Sequence, residues 1–216
     1  MLNTKIELLQ PWSTFVLKTQ LPPDVLSKMK DITDDIVEGK TSSVSAREAV
    51  GAGEMERQYL LEFLGLPEEL QSYFSVLLEK YIVSAFCQKN PEDKENILKQ
   101  KWESRVTLMW INSQKDNEYF PLHNHGNAQI SAVCYLDIPK YLPALNSPHT
   151  TPGAIEFISN RSNNDIWAAE TLKIQPQIGD FYIFTIDQQH IVYPFKTYDG
   201  KGERRSVSFN AEFRNI

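Results

Sequence analysis

The chain has 216 residues, of which 41% are hydrophobic and 23% charged, and its formal net charge is −6. That is ample for one globular core, and it excludes a general electrostatic attraction to nucleic acid or an anionic membrane. The opening MLNTKIELLQPW lacks the apolar core of a secretory leader, and no run approaches the roughly 18 apolar residues of a membrane span.

In chain order, Lys5 to Lys18 carries two short β-leaning stretches, IELL and STFVL, broken at Pro11, and predicts one or two strands. LPPDVLSKMKDITDDIVEG follows. Val25, Met29, Ile32 and Ile36 recur at helical spacing, with Pro23 suited to the first turn and Gly39 to the stop. Lys40 to Gly53 is small and polar and predicts a loop that could serve as a lid. Glu54 to Leu64 predicts a short helix. A stronger helix begins at Pro67, with Glu68 and Glu69 in its positive first turn. Its buried face reads Leu70, Phe74, Leu77, Leu78, Tyr81 and Ala85, and QKNPEDKEN ends it.

From Trp102 the period changes from helical to alternating. Strands are predicted at Arg105–Asn112, Gln129–Leu136, Ala154–Ser159, Thr171–Gln175, Phe181–Ile186, Ile191–Phe195 and Ser206–Phe213, divided by turn signals such as NSPHTTPG, PQIGD and YDGKG. Short strands at this spacing indicate a sandwich, jelly roll or barrel. Tyr141–Gly153 and Asn160–Asp165 read as rim loops. The expected fold is mainly β with supporting helices (α+β): a double-stranded β-helix, or cupin-like jelly roll, with N-terminal helices packed on one sheet. One domain spans 1–216, with 1–98 as helical support and 99–216 as the β core. Cys87 and Cys134 are far apart, form no Cys-x-x-Cys, and point to free thiols in a reducing cytosol, hence a cytoplasmic protein.

The chemistry concentrates in PLHNHGNAQISAVCYL. On an extended strand His123 and His125, at i and i+2, share a face. Two neutral imidazoles on one face suit iron, zinc, copper or nickel and do not choose among them; two surface histidines are the plain alternative. His190 follows the turn-and-strand run IGDFYIFTIDQQ, a place that suits a third ligand at a barrel mouth. ERRSVSFN then puts Arg204, Ser206, Ser208 and Asn210 on one strand face and Arg205 on the other. A guanidinium fork pairs bidentately with a carboxylate, and Ser206 adds a hydroxyl one pleat away. His149, in SPHTTPG, reads as a loop residue.

These blocks, HNHGNAQISAVCYLDIP, GAIEFIS, IQPQIGDFYIFTIDQQH and ERRSVSF, resemble the core of the iron(II)- and 2-oxoglutarate-dependent oxygenases over about Trp102 to Arg214. The likeness is greatest to the prolyl-hydroxylase-like branch and to members found in phages and marine bacteria. It implies His123 and His190 as iron ligands, Arg204 with Ser206 as the grip on the far carboxylate of 2-oxoglutarate, and Tyr135 as a further contact to that carboxylate. A core aromatic is the plain alternative for Tyr135. It also implies iron(II) as cofactor, with 2-oxoglutarate, oxygen and an unidentified primary substrate as partners, and hydroxylation of a C–H bond in a peptide side chain or small metabolite, with release of succinate and carbon dioxide. The family pattern usually has His-x-Asp or His-x-Glu where this chain has His-x-His. His125 therefore ligates as a third imidazole, turns away and leaves an open position, or marks an impaired site; strand geometry favours ligation. His-x-His followed by Gln129 also resembles the first cupin motif. That leaves a cupin-like metal-binding protein, a three-histidine dioxygenase or a non-catalytic jelly roll as alternatives.

Overall fold

The computed structural model describes residues 6–9, 15–50, 55–143, 151–159 and 171–216. Pro11, His149, the end of the Lys40–Gly53 loop and the Asn160–Asp165 loop lie outside the described residues.

The elements run β1 (Ile6–Leu9), β2 (Val16–Gln20), α1 (Pro23–Val37), α2 (Arg47–Val50), β3 (Gln58–Leu60), α3 (Glu68–Lys89), α4 (Lys94–Ile97), β4 (Trp102–Lys115), β5 (Phe120–His123), β6 (Ile130–Asp137), β7 (Ile155–Ile158), β8 (Thr171–Ile174), β9 (Asp180–Thr185), β10 (His190–Val192) and β11 (Glu203–Asn215). The strands form a seven-stranded sheet, β1-β2-β9-β6-β11-β4-β3, and a four-stranded sheet, β5-β10-β7-β8. All strand pairings are antiparallel among the described residues. The protein is mostly β with some helices, a jelly-roll arrangement.

Alternation along each strand builds two cores from one sheet. On β9, Phe181 and Ile183 join a core with α1 and α3, while Tyr182 and Phe184 join a second core with Ile155 and Phe157 of the smaller sheet. Strands β6 and β9 therefore read as nearly continuous apolar runs, because both faces are covered. Phe74 of α3 sets its ring edge-on to Phe181 and Phe209, at 5.8 and 5.6 Å. Val25, Met29, Thr33 and Ile36 are the buried residues of α1. Thr33 thus takes a buried place, and Ile32 is only half-buried. Helix α1 stops where Gly39 adopts φ +76°, a backbone region that costs glycine little.

Several sequence expectations give way. A short helix is the expectation for Glu54–Leu64. Instead Gln58–Leu60 is β3, paired with Asn112–Trp110 of β4, followed by one 3-10 turn at Phe63–Gly65. Tertiary strand pairing overrides local helix propensity here. The loop at Lys40–Gly53 contains the four-residue helix α2. The strand expected at Arg105–Asn112 extends to Trp102–Lys115, because β11 pairs with it along its whole length. Strand β5 was not expected: it is short, lies at a sheet edge and contains Pro121, all of which weaken its local signal. Among the described residues no helix is long and apolar enough to cross a membrane.

Candidate active site

The three histidines arrive by two routes. His123, the last residue of β5, is the cross-strand partner of His190, the first residue of β10. Directly opposed residues of an antiparallel pair project to the same side, so this register brings two imidazoles together. Their ring centroids are 4.1 Å apart. His125 does not lie on a strand, contrary to the i, i+2 expectation. Strand β5 ends at His123, and the turn-forming run Asn124-His125-Gly126-Asn127 bends the chain, with Asn127 at φ +57°. The His125 N–H donates to the carbonyl of Ile186, at the end of β9, over 3.2 Å. That bond holds the bend so that the His125 ring lies 5.2 Å from His123 and 5.3 Å from His190. One ligand atom from each of the three lies within 4.8 Å of the others.

The surroundings suit metal ligation. Nδ1 of His123 lies 2.7 Å from the Pro121 carbonyl, and Nδ1 of His190 lies 3.0 Å from the Gln188 carbonyl. A carbonyl can only accept, so Nδ1 carries the proton in both rings and Nε2 keeps its lone pair. Burial, opposed by the Pro121 carbonyl, lowers the pKa of His123 below the ordinary histidine value. Burial and then His123 bring His125 to about 4. Burial, then the two neighbouring imidazoles, put His190 well below the usual range. Near neutral pH all three are uncharged and fit a borderline cation such as iron(II).

At the other end lies Arg204, only 2% exposed. Its side chain shares a cavity with the histidines. Nη1 donates to the Gly153 carbonyl and Nη2 to Oε1 of Gln114. The guanidinium sits over the rings of Tyr135 and Phe195, at 5.4 and 5.9 Å. Its Nε–H is buried and has no partner, and no carboxylate pairs with this charge among the described residues. A buried cation with an unmet donor calls for an anion. Gly153 is required for this geometry: it has φ +68°, and a Cβ there would lie 2.6 Å from the Tyr141 ring.

Ser206 lines the same cavity, one pleat from Arg204. Arg205 turns to the opposite side and pairs with Asp34 and Glu203. Tyr135 is buried and lines the cavity; burial, tempered by Arg204, pushes its phenol up to about 12, so it remains an O–H donor. Gln129 does not join the histidines. Its Oε1 accepts the N–H of Phe213 over 2.7 Å, which removes the amide from the cupin comparison.

Residues not singled out from sequence also form the site. Trp110, Asn112 and Gln114 alternate along β4 opposite Ser208, Ser206 and Arg204 of β11. The period-two pattern of both strands carried that signal, but only the register reveals which rows meet. Val50 and Met55 close one wall from the N-terminal half.

Residues 108–210 match the model of the family described as "Putative 2OG-Fe(II) oxygenase". Among solved structures, a Pseudomonas putida prolyl-4-hydroxylase is 15% identical with a TM-score of 0.53, covering 93% of this chain and 92% of that one. A Trichoplax adhaerens prolyl hydroxylase, solved with a hypoxia inducible factor oxygen degradation domain peptide fragment, is 12% identical with a TM-score of 0.53, covering 93% and 83%. HygX of Streptomyces hygroscopicus, solved with nickel, 2-oxoglutarate and hygromycin B, is 11% identical with a TM-score of 0.53, covering 93% and 83%. At these identities the likeness is one of fold. No curated protein matches the chain by sequence.

Proposed function

We infer that this chain, whose residues 108–210 match the 2OG-Fe(II) oxygenase family model, is such an oxygenase and hydroxylates a C–H bond of a peptide side chain or small metabolite, with iron(II) held by His123, His125 and His190. The observation that carries the reading is a single cavity with three uncharged imidazoles at one end and, at the other, a buried guanidinium that has no counter-ion among the described residues. One end suits a metal and the other a carboxylate, as one co-substrate bridging the two requires. When bound, iron(II) and 2-oxoglutarate supply the oxidation: oxygen is consumed, 2-oxoglutarate leaves as succinate and carbon dioxide, and the substrate gains a hydroxyl.

The chain's own residues do the rest. Arg204 grips the far carboxylate of 2-oxoglutarate through Nε–H and its remaining Nη–H, with Gln114 and Gly153 holding the fork in place. Ser206 and the Tyr135 phenol add neutral donors to the same carboxylate. The Pro121 and Gln188 carbonyls fix the tautomers of His123 and His190, aiming Nε2 at the metal. His125 stands where the family pattern has a carboxylate, so the metal keeps more net positive charge. Apolar walls from Trp110, Phe120 and Phe184 exclude water around the reacting centre. The N-terminal helices serve as support for one sheet of a single unit spanning 1–216. The free thiols of Cys87 and Cys134 support a reducing, cytoplasmic setting.

The test is anaerobic titration of the protein with iron(II) and 2-oxoglutarate. A weak visible charge-transfer band, appearing only with both present, is the expected result. A titration without that band overturns the reading.

A further inference from the structure

We propose that Ser208 is a specificity-determining residue, and that its hydroxyl donates a hydrogen bond to an amide carbonyl of an uncharged primary substrate at the metal end of the cavity. The inference rests on the oxygenase reading above and goes further, to the class of substrate.

Position comes first. Along β11, Arg204, Ser206 and Ser208 all line the cavity. They pair in turn with Gln114, Asn112 and Trp110 of β4. Gln114 accepts a hydrogen bond from Arg204, its own cross-strand partner, and so holds the guanidinium in its own row. Ser208 is two rows away, about 13 Å along the strand. It shares its row with Trp110, whose ring lies 5.7 Å from that of His125. Ser208 therefore stands beside the metal end, beyond the reach of the anion grip. That is where the bond to be hydroxylated must lie.

Polarity comes second. Gln58 of β3 donates through Nε2 to Oδ1 of Asn112 over 2.9 Å. Asn112 donates through Nδ2 to Oγ of Ser208 over 3.2 Å. This chain of donors ends on an oxygen whose own O–H has no acceptor among the described residues. A hydroxyl that accepts on one side and faces a cavity on the other offers its proton to whatever enters. The relay is held by groups that are 2% and 8% exposed, so it is shielded from bulk water before substrate binds.

Charge comes third. Apart from Arg204 and the three imidazoles, no cavity-lining residue among those described is ionisable at neutral pH. Arg204 is taken by the co-substrate. A free amino acid brings an ammonium and a carboxylate, and neither finds a described partner at the metal end. Burying such charges unpaired is costly. A residue with both backbone ends blocked as amides brings only neutral donors and acceptors. Val50, Met55, Trp110, Phe120 and Val192 supply the apolar wall for its side chain.

The test is calorimetric binding under anaerobic conditions, where no turnover occurs, to protein loaded with iron(II) and 2-oxoglutarate. The probes are N-acetyl, N-methylamide derivatives of the apolar amino acids, each against its free amino acid. At least one blocked amide is expected to bind about tenfold more tightly than its free counterpart, and Ser208→Ala to weaken that binding about tenfold. Ser208→Thr, which keeps the hydroxyl, should retain it. The 2-oxoglutarate affinity of both variants should match the parent. Equal or tighter binding of free amino acids, failure of every blocked amide, or undiminished binding by Ser208→Ala overturns the proposal. Failure of the parent protein to take up iron(II) and 2-oxoglutarate overturns the oxygenase reading instead.

Discussion

On β6, Ile130, Cys134 and Leu136 turn toward α1 and α3, while Ser131, Val133 and Tyr135 turn toward the cavity and the smaller sheet. On β11, Val207 and Phe209 take the first side and Arg204, Ser206 and Ser208 the second. The same backbone thus serves a dry apolar face and a polar one. The helix face is closed by rings such as Phe74 on Phe181 and Phe209. The cavity face keeps a buried guanidinium with one donor unmet among the described residues. The contrast separates residues whose burial stabilises the fold from residues whose burial costs stability, the pattern expected of a face built for a ligand.

The strongest way to break this division is on the helix face. Phe74→Ala removes a ring from the middle of the larger core and should cost about 3–5 kcal/mol in chemical denaturation. Among molecules still folded, 2-oxoglutarate affinity should be unchanged; a loss there would mean that the two faces are coupled. On the cavity face, Arg204→Met should lower 2-oxoglutarate affinity about 100-fold in an anaerobic titration while leaving iron(II) binding intact. The same variant should melt no lower than the parent without ligand, because it exchanges an unpaired buried charge for an apolar chain. Gln114→Ala, which loosens the guanidinium, should weaken 2-oxoglutarate about tenfold. Gln114→Glu should weaken it further, since it supplies the counter-charge that the co-substrate would otherwise provide.

The smallest effect expected is at the flank of β11. For Glu203, burial raises the pKa, but Lys115 and Arg205 together outweigh it and hold the carboxyl below its ordinary value. A depressed folded pKa contributes stability above the unfolded value, near 4.5, and loses it as pH falls through the folded value. Thermal melts of Glu203→Gln and parent should differ by less than about 3 °C at neutral pH and converge in acid below that value.

Much of this was legible in the chain because local chemistry determined it. Pro23 and Gly39 bracket α1, and the alternation of ERRSVSFN places Arg204 and Arg205 on opposite sides. The rest depends on pairing between distant segments. Gln58 reaches Asn112 through a strand of three residues inside a stretch rich in helix formers. His123 meets His190 through the register of a strand containing proline. His125 converges through a turn held by Ile186, not through the i, i+2 geometry of a strand. The spacing of the candidate ligands could be read from sequence, but the backbone route that gathers them could not.

The order of the larger sheet has one further consequence. The β1–β2 hairpin covers one flank through β9, and β3 covers part of the other through β4. Both covers come from before residue 61. A fragment cut to 99–216 would bare the five β9 residues paired with β2 and the three β4 residues paired with β3 at once, each edge a template for another chain. Such an excised piece should come out of expression as insoluble assemblies, so attempts to shrink this protein should begin from its rim loops.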